Sequence, residues 1–541
     1  MSCSGSVCSP TAVNAVLNVQ DLEALLASGN ATVTTTGSGV QATDIIIRAR
    51  LEWSAVTTLA LDAYRSVELH AKLTLDGAGG LSLVTNAGGR GGEFSCSDTG
   101  RVEFRNLSGL LSINGTPYLL VNSVASLAGA IAGNPSGAFA LADSYDAAKD
   151  GTYASPPIPT AFSGSFSGLG NTVSNLSIND PAENAYVGLF AETTGSASID
   201  NIRLANENVQ GGSGTSVDSS TEFIGGLAGY GSGTIAHSFS SGTVTGGQYA
   251  AVGGLIGASG AATVSSSGSA AAVSNATMGM APVGGLLGIT NSGSITDSYA
   301  TGNVTGSGFL GGLVGFNARP NITHSWASGQ VSGTDNTTTV GGLVGANQYG
   351  VIERSHASGA VSCQQVCGGL LGWAGTGAGG TPKISASYSM GSVTADIAGN
   401  TLAGGLVGYN ELGEVLNSYA SGAVSAGYAG GLVGQNDNSV AHSISRSYAT
   451  GTVSGSSGGS GGFVGFDRTS TITRSYWDMT TSGINNPSQG AGNVANDPGI
   501  KGLTDSRLKS GLPGGFSPKV WRENANINGG LPFLIANPPR S

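Results

Sequence analysis

The phrase Gly-Gly-Leu-Leu-Gly at 284–288 is followed at a fixed distance by Ile295-Thr-Asp-Ser-Tyr-Ala-Thr-Gly-Asn-Val304, and the same order is written nine times between Phe223 and Trp477. Its glycine doublets begin at Gly225, Gly253, Gly284, Gly311, Gly341, Gly368, Gly404, Gly430 and Gly461, so successive copies lie 26 to 36 residues apart. A period of that size belongs to a repeat architecture rather than to a string of globular domains. The variation in length is confined to certain places. Counting from the aliphatic residue at Ile235, Val264, Ile295, Ile322, Ile352, Ile384, Val415 or Ile444, a Ser always follows at +3 and a Val at +9, whereas the next doublet begins 6 to 11 positions after that Val. Fixed segments joined by elastic ones are strands joined by loops.

Alternation identifies the faces. Ser298, Ala300, Gly302 and Val304 share one side of an extended chain, small and apolar; Tyr299, Thr301, Asn303 and Thr305 share the polar other side. Ile295 has the wrong parity for the apolar side, so a corner or bulge is expected between it and Ser298. Short strands that turn every few residues and repeat after about 30 form the coil of a β-solenoid, with Leu286, Leu313 and Leu343 at equivalent positions. The doublets suit tight corners and close backbone approach. Stacking turns each repeat position into a column, and the +4 position, outward by parity, reads Phe239, Gly268, Tyr299, Trp326, His356, Tyr388, Tyr419, Tyr448 and Tyr476.

Gly-Gly-Leu-Val-Gly-Phe-Asn at 311–317, with Ile-Thr-His-Ser-Trp-Ala-Ser-Gly at 322–329, resembles the GLUG repeat of large bacterial exoproteins related to filamentous haemagglutinin. That resemblance implies an all-β fold, a right-handed parallel β-helix, in a secreted adhesin exported by the two-partner route through an outer-membrane exporter. Leu111-Ser-Ile-Asn-Gly-Thr-Pro-Tyr118 is similar to the segment ahead of such repeats, and Phe162 to Ile178 to their entry, with Ser167 where relatives tend to carry Asp. Neither a signal peptide nor the secretion domain of those exoproteins is recognisable, and a downstream piece of a longer chain is expected.

Along the chain, 1–122 reads as irregular solenoid coils with a short helical stretch over 19–26, and 123–180 as a connecting segment that interrupts the strands with a short helix from Ser123 and a Pro-rich loop. The repeat solenoid is expected over 181–480. A non-repeating cap is expected over 481–541, its Phe516, Trp521 and Phe533 shielding the open end of the stack.

The charge balance narrows the partners. A net charge of −11 without a Lys or Arg run argues against nucleic acid, and no uninterrupted apolar run is long enough to span a membrane. Cys363 with Cys367 and Cys3 with Cys8 are each close enough for a local disulfide, leaving Cys96 over, which would suit an oxidising compartment; free thiols are the alternative. Neither pair has the company a zinc site needs, and no catalytic motif or cofactor fingerprint is found.

Two readings of the +4 column compete: a stripe on which sugars stack through Tyr299, Trp326, His356, Tyr388, Tyr419 and Tyr448, or rings that stack on one another and shield the ladder beneath. The expected function is a secreted or surface-displayed adhesin that binds a glycan or protein on a surface or matrix, and not an enzyme. The alternatives are a carbohydrate-active β-helix enzyme using a groove near Glu353, Arg354, His356, Arg446 and Arg474, and a structural matrix or filament subunit.

Overall fold

In the computed structural model of the chain, which describes residues 1–89, 91–215, 221–276, 281–336, 338–375, 380–440, 443–456 and 459–539, each repeat is one turn of a β-solenoid of about sixteen turns. The turn at Gly311 shows its construction. Phe309–Gly311 lies in one sheet, Val314–Asn317 and Asn321–Thr323 in a second, and Trp326–Ala327 with Val331–Gly333 in a third. Every strand pairs in parallel with its counterparts in the turns before and after: Val314 faces Leu287 and Val344, Ile322 faces Ile295 and Ile352, and Val331 faces Val304 and Val361. Leu286, Leu313 and Leu343 are linked in succession by backbone hydrogen bonds of 2.9 and 2.8 Å.

The inward positions Leu310, Leu313, Val314, Ile322, Ala327 and Val331 are fully buried, and the core they belong to runs without a break from Val121 to Ile500. Burying each large aliphatic side chain stabilises the fold by about 1.5–3 kcal/mol. The doublet is required by close approach: a Cβ on Gly311 would collide with the carbonyl oxygen of Val314, and one on Gly312 with that of Gly342 in the next turn.

The parity change falls at the +2 residue. His237, Ser266, Asp297, His324, Arg354, Ala386, Asn417, Arg446 and Arg474 all have φ between 46° and 53°, a left-handed conformation that costs a non-glycine residue about 1–2 kcal/mol. The serine that follows offsets it. Ser298 Oγ donates to Thr296 O at 2.9 Å, and the N–H of Ser298 donates to Ser325 Oγ at 3.2 Å in the next turn. Seven such links join Ser238 to Ser447 in an unbroken buried ladder. A second internal ladder runs through asparagines, with Asn317 Nδ2 on Asn347 Oδ1 and Asn410 Nδ2 on Asn436 Oδ1 at 2.8 Å each.

Three regions outside the repeat bear on where binding can occur. The helix α1 (Val19–Ser28), capped by Asn18, lies against Leu51–Trp53, whose Glu52 N–H donates to Glu23 Oε1. The segment 123–180 was expected to interrupt the strands, and it does contain helix α2 (Val124–Gly133) with a Ser123–Ser126 capping box. The stack nevertheless continues through it: Ala138–Leu141 pairs in parallel with Thr116–Val121 and with Ser165–Ser167, and Thr172–Ser174 pairs with Arg203–Gly211. Strands of three or four residues filled with Phe139 and Phe166 carry no period to mark them.

The C-terminal region departs from the expected cap. Ile500–Leu503 adds a strand to Ser475–Asp478, and Phe463 N donates to Gly490 O, so 481–503 already closes the stack. The remainder, beginning with α3 (Asp505–Leu508), turns back along the flank. There Tyr476 OH donates to Gly514 O, Tyr448 OH to Pro532 O and Tyr388 OH to Pro538 O, while Asn537 Nδ2 reaches Ser355 O and Ala386 O.

Candidate binding surface

The +4 residues form a continuous ring stack. Centroid distances are 5.0 Å for Tyr299–Trp326, 6.1 Å for Trp326–His356, 4.7 Å for His356–Tyr388, 4.9 Å for Tyr388–Tyr419 and 5.1 Å for Tyr419–Tyr448, with planes within 10° of parallel. The rings point away from the solenoid core, as alternation requires, yet most are not on the surface. Tyr388, Tyr419 and Tyr448 are fully buried and His356 is 7% exposed. The returning C-terminal segment covers the tyrosines with Leu508, Phe516, Trp521 and Leu534. An exposed six-residue sugar stripe is therefore corrected to a largely internal stack in which Tyr299 and Trp326 are half-buried. Burial pushes the Tyr419 and Tyr448 hydroxyls well above their ordinary range, and the Tyr419 OH has no hydrogen-bond partner.

A second outward aromatic surface went unread in the sequence. It flanks the doublet, at the residues five after and two before its first glycine. In the +5 column Tyr230, Ala258, Ile289, Phe316, Ala346, Trp373, Tyr409, Gln435 and Phe466 pair in register from turn to turn. In the −2 column stand Tyr186, Phe223, Phe309 and Tyr428, and the two columns interlock. Tyr186, Phe223 and Tyr230 lie mutually 5.3–5.8 Å apart; Phe309 packs on Phe316 at 5.6 Å and on Trp373 at 6.2 Å; Tyr428 meets Phe466 edge-on. These aromatics are half-buried, and Tyr186 is 37% exposed. Because the rings occupy only some turns, the column lacks the unbroken run that made +4 conspicuous. Only the pairing of doublets could have revealed it.

The rings are held by polar handles. Trp373 Nε1 donates to Glu411 Oε2 at 3.0 Å, Tyr409 OH to Asp437 Oδ2 at 3.0 Å, and Gln435 Nε2 to Asp437 Oδ1 at 3.0 Å, while the Arg468 guanidinium lies 5.5 Å over Phe466 and 3.5 Å from Asp437. Burial, reinforced by Asp437, pushes the Tyr409 hydroxyl up to about 12.

Of the residues weighed for catalysis, Arg354 pairs with Glu353 at 3.5 Å and His356 is sandwiched in the ring stack, so the two face different surroundings. Arg446 and Arg474 stack one turn apart beside an open groove of about 730 Å³ whose lining carboxylate is Glu414. Cys363–Cys367 and Cys3–Cys8 are disulfides, and Cys96 is unpaired. Ser167 Oγ donates to Asp200 Oδ1 at 2.7 Å, so an Asp in its place would set two carboxylates together. No helix among the described residues is long and apolar enough to cross a membrane.

Comparison with known proteins supports the repeat. The family model described as the GLUG motif matches residues 336–362 and 399–425, so the chain carries the GLUG repeat there. It is 30% identical over 210 residues to halomucin of Haloquadratum walsbyi; this covers 37% of the chain and 2% of that much longer protein. A solved structure described as "a putative immunoglobulin A1 protease from Bacteroides ovatus" is 16% identical, with 74% of this chain and 85% of that one covered at a TM-score of 0.30. A likeness at that score carries no argument about fold or activity.

Proposed function

We propose that this chain is an adhesive rod on the outside of the cell, secreted or surface-displayed, that binds surfaces, glycans or other cells and does not perform catalysis. The observation that carries the reading is the filled interior. From Val121 to Ile500 the inward positions are occupied by the solenoid's own side chains, which leaves long outer faces as the places where a partner can be met, the usual arrangement in solenoids. Two local disulfides agree with an oxidising compartment, and the likeness to halomucin, whose name is that of a mucin, agrees with a place at the cell surface. Export by a two-partner route is part of the same proposal and rests on the resemblance alone.

The test has two arms that need no knowledge of the ligand. Antibodies against the chain should label intact source cells as strongly as permeabilised ones. Beads coated with the purified chain should attach to arrays of cell layers, matrix proteins and glycans more than beads coated with albumin do. Labelling only after permeabilisation would remove the surface placement, and attachment no better than albumin would remove the adhesive role.

A further inference from the structure

We propose that the doublet flank carrying Tyr230, Phe316, Trp373, Tyr409 and Phe466 is a rail for an extended neutral polysaccharide, centred on Trp373 and Tyr409. This rests on the adhesive reading and names its ligand class and its surface. Of two outward aromatic columns, one is sealed over Tyr388, Tyr419 and Tyr448 by the chain's own C-terminal segment and stays half-open at Tyr299 and Trp326, whereas the other keeps its rings partly open from Tyr186 to Phe466.

Glu411 uses one carboxylate oxygen to fix Trp373 through its Nε1, Asp437 uses Oδ2 to fix Tyr409 and Oδ1 to hold Gln435 and Arg468, and Gln435 stands in the same column one turn on. Carboxylates and amides beside fixed, half-open aromatic faces meet the two sides of a sugar: its hydroxyls need hydrogen-bond acceptors and donors, and its C–H face needs an apolar plate. Plates held in place before binding lose little freedom when a ligand arrives.

Turns repeat at about 4.8 Å, close to the rise of one sugar in an extended chain, so Phe316, Trp373 and Tyr409 offer plates two turns and then one turn apart along a straight line. Charge selects among polymers: Asp437 is paired with Arg468, but the net charge of −11 and the Glu411 carboxylate beside Trp373 repel uronic or sulfated chains and leave a neutral one.

The experiment is retardation of the full chain in native gels cast with hydroxyethylcellulose, galactomannan or polygalacturonate. At least one neutral polymer should retard the parent. The double variant Trp373→Ala/Tyr409→Ala should bind that polymer about tenfold more weakly, the loss expected for two stacking rings. Trp373→Phe/Tyr409→Phe, which keeps the plates, should retain most of the retardation and shows that the loss is not one of folding. Tyr299→Ala/Trp326→Ala, on the other column, should behave as the parent does. Retardation by polygalacturonate alone, an alanine variant that moves like the parent, or a parent retarded by no polymer would each overturn the rail. The bead and antibody experiments would then still decide the adhesive reading separately.

Discussion

At the scale of single residues, the repeat is held by small polar side chains inside an apolar core. The hydroxyl of Ser325 accepts from Ser298 N–H and donates to Thr323 O, and the N–H of Ser325 donates to Ser355 Oγ. Ser325→Ala removes the acceptor of one buried N–H and the donor to one carbonyl while sparing the shape, so it should destabilise the fold by about 1–3 kcal/mol. A urea midpoint equal to the parent's would show that the ladder is ornamental. Glu207 is the opposite case. Its carboxyl is packed against Gly226 with no donor to either oxygen, and burial holds it well above the usual carboxylate range. Between the unfolded value of about 4.3 and that raised value the folded chain binds more protons than the unfolded one, so stability falls as pH rises through this window. Glu207→Gln should flatten the decline of Tm between pH 5 and pH 8. Parallel Tm curves for parent and variant would contradict it.

At the scale of elements, the C-terminal segment is a lateral strap whose anchor is Trp521, 1% exposed and set against Tyr419 and Tyr448 at 6.2 and 5.7 Å. Truncating a buried Trp costs about 3–5 kcal/mol, and here the loss should be local, because the turns beneath keep their own pairings. Trp521→Ala is expected to render residues 504–537 cleavable by dilute protease while the repeat region stays intact. Cleavage spread evenly through the chain would mean that strap and stack unfold as one. The short loop closed by Cys363 and Cys367 joins the third sheet to the doublet strand of the following turn. Peptide mapping of the native protein without reductant should recover the two cysteines linked; if both can be alkylated, the argument for an oxidising compartment falls.

At the scale of the whole molecule, about sixteen turns at about 4.8 Å each make a rod of roughly 80 Å. Small-angle scattering should give a maximum dimension near that figure, and a value typical of a sphere of 541 residues would be incompatible with one continuous stack. By itself the sequence determined the turn, because each of its features is local and repeated: the inward Val304 and Ala300, the outward Tyr299, the parity break between Ile295 and Ser298, and the glycine pair at the corner. Nine copies also amplify a weak signal, since an error in one is corrected by the others. The strands of 138–180 were illegible for the converse reason, being short, aromatic and written once. The candidate site divided in the same way. That the +4 rings stack follows from their period, but that Tyr388, Tyr419 and Tyr448 are sealed depends on Pro538 reaching Tyr388 across 150 residues, a contact with no counterpart in the repeat. The doublet-flank rail was likewise assembled only by stacking, which brings Phe309 against Trp373 from turns that are not neighbours in sequence. Periodic backbone pairing is encoded residue by residue; which outward face remains open is decided by where a non-repeating segment finds apolar surface to cover, and that is settled only when the whole rod has formed.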